Sequence, residues 1–113
     1  MTFPSDTETI HRFNGGEDAL KAILGFLKNA ESLRIYGDSA AITAATEIES
    51  IMGCYEALKQ RNVNVRWLTE ITKDNLRHCK ALMEHVELYH LDGIKGNFGV
   101  SDEAYITTSL FST

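Results

Sequence analysis

Hydrophobic residues recur along this chain at two different spacings. In three segments they return every three or four residues, as on one face of a helix, which predicts helices over about residues 17–30, 40–61 and 73–85. Five shorter segments contain Val, Ile or aromatic residues between turn-forming residues, which predicts strands. These strands are predicted at about residues 32–36, 63–69, 87–91, 97–101 and 104–109.

This order of elements predicts an α/β fold. Strands that alternate with helices are joined by right-handed crossovers into a largely parallel sheet. The last two strands meet around Asp102-Glu103, so we expect a C-terminal β-hairpin that makes the sheet mixed. We expect the helices to flank this sheet in a three-layer arrangement, within one domain at 14–113 that follows a flexible lead-in at 1–13. Because the sequence ends directly after a predicted strand, we also expect that a closing segment is missing and that one sheet face lacks cover.

Composition narrows the functional class. The 113 residues include 11 basic and 16 acidic ones, a formal charge of −5, and 43% are hydrophobic. An acidic chain does not favour nucleic-acid or anionic-membrane binding, which need clustered Lys and Arg. The first ten residues lack the basic start and apolar stretch of a signal peptide, and no apolar run could span a bilayer, so we expect a cytoplasmic protein. Cys54 and Cys79 are expected to be reduced core thiols, with a redox or metal role as the alternative.

Polar residues follow the predicted parallel strands at their carboxyl ends, where ligands collect in open α/β sheets. Asp38 and Ser39 follow the first strand, and Thr69 and Glu70 end the second. Ser39 also lies near a helix N-terminus, where backbone N–H groups can hold an anion. Asp38 and Ser39 either cap the long helix or contact a ligand, and the two roles are compatible. Glu70 is either a ligand contact or half of a solvated pair with Lys73.

Familiar catalytic and metal-binding motifs are absent from the sequence. His78 and His85 are seven residues apart, whereas paired metal-binding histidines on a helix are four apart. The sequence contains no phosphate loop, dinucleotide-binding glycine motif or nucleophile elbow. The glycine-rich segment 93–96 lies between strands rather than before a helix. We therefore predict no catalytic residue, no metal site and no cofactor.

Several ordered tracts closely resemble the N-terminal sensory domain of archaeal signal-transduction histidine kinases. The strongest are RWLTEITKDN at 66–75, CKALM at 79–83 and HLDGIKGNFGVSDEAYI at 90–106, supported by GDSAA at 37–41 and the upstream RFNGGEDAL. The resemblance covers about residues 12–110. The sequence lacks the phosphoacceptor helices and ATP-binding boxes of a kinase, so the resemblance implies a sensor rather than a kinase.

A second resemblance is to the phospholipase D fold, carried by the Ala57–Leu68 segment and by the final strand-turn-strand. Catalytic members of that superfamily carry H-x-K followed, after four residues, by D. When Asp102 is aligned with the acid, Lys95 stands at the histidine position and Asn97 at the lysine position. Because the nucleophilic histidine is missing, the resemblance implies a degenerate, non-catalytic domain.

The resemblance implies a non-catalytic cytoplasmic sensory or regulatory domain of a two-component protein, which acts by ligand- or partner-induced population shift. We expect a homodimer that acts on its own kinase or another output domain and contacts neither nucleic acid nor membrane. Asp38 and Glu70 would bind donors or a cation and Lys95 an anion. The alternatives are an interaction module without a small ligand and a phosphodiesterase of phospholipase D type. The expected ligand-binding residues are Asp38, Ser39, Thr69, Glu70, Lys95, Asn97 and Asp102.

Overall fold

The computed structural model describes residues 16–102 and 104–107, which form four helices and five strands. The predicted lead-in at 1–13 and the end of the last predicted strand lie outside these residues. In chain order the elements are α1 (Gly16–Lys28), β1 (Leu33–Tyr36), α2 (Ser39–Glu47), α3 (Glu49–Gln60), β2 (Val65–Thr69), α4 (Leu76–Leu82), β3 (Glu87–His90), β4 (Phe98–Ser101) and β5 (Tyr105–Thr107).

The five strands form one sheet in the order β3-β2-β1-β4-β5. β1 pairs in parallel with β2, and β2 with β3, whereas β4 is antiparallel to both β1 and β5. Four of the five strands therefore run in the same direction. This confirms the predicted α/β class, the mixed and mostly parallel sheet, and the C-terminal hairpin.

The described helices cover only one face of this sheet, so the expected three-layer arrangement is wrong for the described residues. Right-handed crossovers lead from β1 to β2 and from β2 to β3 in the same direction, and this places their helices on the same face. α1 joins them, because its Phe26 ring occupies the space that a side chain at Gly99 would need. The described residues form a two-layer α/β structure whose core lies between the helices and one sheet face.

The predicted long helix at 40–61 is two helices, separated at Ile48. The backbone of Ile48 is extended (φ −86°, ψ 106°), and it both ends α2 and begins α3. The Thr46 hydroxyl donates to the carbonyl oxygens of Ile42 and Thr43, a contact that bends helices. The break lets α2 pack against α4 while α3 packs against α1. Periodicity missed it because the apolar stripe continues across both halves.

The predicted helix at 73–85 is shorter than expected. Thr72 does accept a hydrogen bond from the Asn75 amide at 3.2 Å, as a helix cap would, and the Asn75 side chain accepts one from the Thr72 amide at 2.8 Å. This reciprocal pair forms a turn before α4, which begins at Leu76. Among the described residues, none of the helices combines the length and apolar character needed to cross a bilayer.

Candidate functional site

The carboxyl-end edge of the parallel strands brings three of the predicted site residues together. The Asp38 amide donates to the Asn97 side-chain oxygen at 3.0 Å, and the Thr69 hydroxyl lies 3.5 Å from the Asp38 carbonyl oxygen. Thr69 is fully buried and Asn97 nearly so. Asn97 reaches this edge because it precedes β4, which runs antiparallel to β1. These polar groups join β1, β2 and β4 at one end of the sheet.

Asp38 caps α2. Its carboxylate accepts a hydrogen bond from the Ala41 amide at 3.0 Å, and its backbone is extended, as at most N-caps. Ser39 is the exposed first residue of the helix. The prediction that Asp38 caps the helix is therefore confirmed. A ligand at this position would have to share a carboxylate that already accepts a hydrogen bond from the Ala41 amide.

Glu70 ties the end of β2 to the turn after β3. Its carboxylate accepts a hydrogen bond from the Gly93 amide at 2.6 Å. Gly93 has a φ of 75°, a left-handed conformation that favours glycine. Beside it, His90 accepts from the Ile71 amide through Nδ1 at 2.9 Å, and its Nε2 lies 2.9 Å from the Asp92 carboxylate. The Nδ1 contact requires an unprotonated Nδ1, so Nε2 carries the proton and donates to Asp92.

Lys95 takes no part in the contacts described above, and Asp102 lies elsewhere in the fold. Lys95 is exposed in the loop between β3 and β4. Asp102 follows β4 and lies at the opposite edge of the sheet, where its carboxylate accepts hydrogen bonds from the Glu31 amide at 2.8 Å and the Ser32 amide at 3.3 Å. These bonds, the one from Glu31 foremost, hold the pKa of Asp102 below its ordinary value. The structure therefore places Asp102 away from the other six predicted residues.

His78 and the two cysteines lie in contacts within the fold. His78 Nδ1 lies 2.7 Å from the Thr46 hydroxyl, which links α4 to α2. Cys54 and Cys79 are free and buried, as predicted, and burial raises the pKa of both thiols. Within residues 16–102 and 104–107, no three His, Cys, Asp or Glu side chains are grouped as a metal would require.

A larger candidate surface is the sheet face that none of the four described helices covers, which we call the open face. The register sets its side chains in two rows across the strands. One row is mostly aromatic and apolar, and in it the Tyr36 and Phe98 rings stack with centroids 5.0 Å apart. Phe98 is 44% exposed and Tyr89 is 50% exposed. The apolar row contains Thr107, Phe98, Tyr36, Leu68 and Tyr89, and the second row contains Tyr105, Val100, Arg34, Arg66 and Glu87.

The charges of the open face differ from those of the whole chain. Arg34 and Arg66 are register partners on adjacent strands, so their like charges repel each other and destabilise the pairing. Arg66 forms an ion pair with Glu87 at 3.2 Å, and the Tyr89 hydroxyl donates to the same carboxylate. Among the described residues, no carboxylate pairs with Arg34. The described residues of the two rows, with Arg34, Arg66 and Glu87, thus carry net positive charge in a protein of formal charge −5.

A cleft lies between α1 and α3, on the helical side of the domain, and we call it the α1–α3 cleft. Its volume is about 270 Å³. Leu24 and Lys28 line it from α1, and small or apolar residues and Arg61 line it from α3 and its end. No sequence pattern marks this cleft, because its shape depends on how α1 packs against α3.

Comparison with known proteins adds no assignment. No family model matches the chain, and no curated protein matches it.

Proposed function

We propose that this chain is a non-catalytic, cytoplasmic sensory or regulatory domain of a two-component signalling protein, and that it acts on a partner protein through its open face. The observation that carries the proposal is that no described helix covers the open face. A mostly parallel sheet ordinarily has both faces covered. The resemblance to sensory domains and to a degenerate phospholipase D-like fold, with two right-handed crossovers in a mixed sheet, supports the regulatory part.

The chemistry of the open face favours one kind of partner. The exposed aromatic row offers Phe98, Tyr36 and Tyr89 as apolar contact area, and aromatic residues contribute most to binding energy at interfaces. Arg34 beside this row would donate to a carboxylate. We infer that the partner presents apolar side chains flanked by Asp or Glu, as an output domain of the same protein could. The expected homodimer would instead place a second copy on this face.

The signal would enter from the helical side and leave by the open face. The Phe26 ring of α1 packs where a Gly99 side chain would lie, next to Ile35 of β1. Phe98 and Tyr36, the stacked pair of the open face, are the chain neighbours of Gly99 and Ile35. A change in the position of α1 would therefore bias the strands that carry the stacked pair, as a population shift.

The test is binding of a synthetic amphipathic helical peptide with leucines on one face and glutamates beside them, followed by backbone NMR of the labelled chain. We expect signals of β1, β2 and β4 to move. Arg34→Glu should weaken binding about tenfold, since it replaces attraction with repulsion. The matched control, Arg77→Glu on α4, should change binding by less than about twofold because Arg77 lies on the helical side.

Two results would contradict the proposed partner. Equal binding of a peptide in which lysines replace the glutamates would show that Arg34 does not select carboxylates. Concentration-dependent self-association that Phe98→Ser abolishes would assign the open face to a second copy of the chain, as the homodimer expectation has it.

An interaction module without a small ligand is the second candidate. It is favoured by the strand-end edge, where Asp38, Glu70 and Asn97 already hold backbone amides of the chain itself. It predicts that the open face binds its partner with the same affinity whatever small molecules are present.

A further inference from the structure

We propose that the α1–α3 cleft is a binding site for a small organic carboxylate with an apolar body, such as a single ring or a short chain. This inference rests on the proposed sensory function in one respect: the carboxylate would be the ligand that the sensory domain detects. Binding at the cleft can be measured without any partner on the open face.

The shape of the cleft sets the size of the ligand. Its volume of about 270 Å³ lies just below the range of about 300–1,000 Å³ that is usual for ligand pockets, so the cleft suits a small ligand. Gly53 of α3 borders this space, and a Cβ added there would meet nothing within 4 Å. Leu24 of α1 and Leu58 of α3 supply apolar walls. Such walls favour the apolar body of a ligand over water.

The charges of the cleft set the chemical class. The chain has 16 acidic and 11 basic residues, yet the lining includes Lys28 and Arg61 and no acidic residue. Neither cation pairs with a carboxylate among the described residues. One guanidinium nitrogen of Arg61 donates to the Lys28 carbonyl oxygen at 3.1 Å. This bond orients Arg61 across the cleft and leaves further N–H groups for an anion.

The helix ends beside the cleft do not oppose an anion strongly. Lys28 ends α1 and Arg61 follows α3, so carbonyl oxygens with partial negative charge lie nearby. The last carbonyls of α3 accept hydrogen bonds from the amides of Arg61, Asn62 and Val63. The Cys54 thiol in the lining is buried, and burial raises its pKa, so it is an uncharged part of the wall.

The test compares phenylacetate with 2-phenylethanol, its uncharged analogue, by NMR titration of the labelled full chain. We expect phenylacetate to move signals of α1 and α3 and to bind about tenfold more tightly than the alcohol, as a charge-assisted contact implies. Lys28→Met should remove most of this preference while keeping the apolar stem. The matched control is Lys21→Met, at an exposed position also on α1, and it should leave the preference for phenylacetate unchanged.

A second pair of variants tests the location. Gly53→Leu should fill the cleft and weaken phenylacetate binding about tenfold or more. Gly25→Leu on α1 adds the same side chain at a helical glycine with equally open surroundings but outside the lining, and should leave binding unchanged.

Equal affinity for acid and alcohol, no binding of either, or binding that survives Gly53→Leu would overturn the carboxylate site. None of these results bears on the open face, whose peptide assay uses no small ligand. Failure of that peptide assay with a normal phenylacetate titration would reject the proposed output surface alone.

Discussion

The two faces of the sheet differ although the same strands build both. On the covered face Leu33, Val65 and Trp67 are at most 2% exposed and pack against the helices. On the open face their chain neighbours Arg34 and Arg66 are exposed, and aromatic rings lie beside them. Alternate residues of one strand therefore have separate roles: one set packs in the core and stabilises the fold, and the other is exposed and available to contact a partner.

This separation means that substitutions on the two faces should have different consequences. Changes on the covered face should lower the free energy of unfolding, while changes on the open face should alter partner binding with little effect on folding. Each prediction below challenges or refines that division.

The largest expected effect is that of Leu33→Ala. Leu33 is 1% exposed, so its truncation leaves a cavity in the core and should lower the free energy of unfolding by about 2–5 kcal/mol. Tyr89→Ala on the open face, where the ring is 50% exposed, should cost less than about 1 kcal/mol. Urea unfolding followed by circular dichroism measures both. Similar losses for the two variants would mean that the open face also belongs to the stabilising core.

Gly37→Ala should be the next most costly change. A Cβ at Gly37 would lie 2.9 Å from the Trp67 ring and 3.0 Å from the Ala41 Cβ, and such overpacking costs about 1–3 kcal/mol. Gly53→Ala in α3 has open surroundings and should instead stabilise the chain by about 0.5–1 kcal/mol, because glycine is a poor helix former. Thermal unfolding of the pair checks the opposite signs; a stable Gly37→Ala variant would show that the packing at Trp67 is loose.

Asp38→Ala tests the junction between β1 and α2, where Asp38 caps the helix. Loss of its cap on α2 should cost about 1 kcal/mol. Ser39→Ala, one residue later and exposed, should change stability by less than about 0.5 kcal/mol. Denaturant midpoints of the two variants measure the difference. If both variants keep full stability, the Asp38 carboxylate does not act as a cap in solution and a ligand contact becomes the better explanation.

The smallest expected effect is a pH dependence from Asp102. Its folded-state pKa lies below the ordinary value of 3.8, so its contribution to stability is complete above that value and is lost as pH falls through the lowered folded-state pKa. Asp102→Asn should therefore destabilise the chain slightly at neutral pH, and the difference from wild type should vanish in strong acid. Urea midpoints measured across this range test the sign; a difference that grows in acid would contradict it.

Much of the fold followed from periodicity and turn residues, but the number of layers did not. The alternation along Val63–Thr69 separates Val65 and Trp67 from Arg66 and Leu68, and the predicted end of the helix at 61 is followed by Asn62, whose φ is 63°. Nothing local to α1 told which sheet face it would cover, since that depends on Phe26 packing over Gly99. The break at Ile48 depends likewise on packing that the sequence pattern does not reveal.

The candidate site was predictable only in part. Strand-end reasoning pointed to Asp38 and Thr69, which the structure places at one edge of the sheet. Asn97 and Asp102 were added by alignment with a motif; Asn97 lies at that same edge, whereas β4 carries Asp102 to the far end of the sheet. The α1–α3 cleft arises from contacts between helices distant in sequence, so no local pattern marked it.

The most direct test of the account is whether a ligand on the helical side changes the open face. In an NMR titration of the labelled chain with phenylacetate, the account predicts shifts in α1 and α3 together with shifts at Tyr36 and Phe98, all lost in Gly53→Leu. Shifts confined to the cleft, or shifts at Tyr36 and Phe98 that persist in Gly53→Leu, would contradict a sensory domain that passes its signal through the sheet.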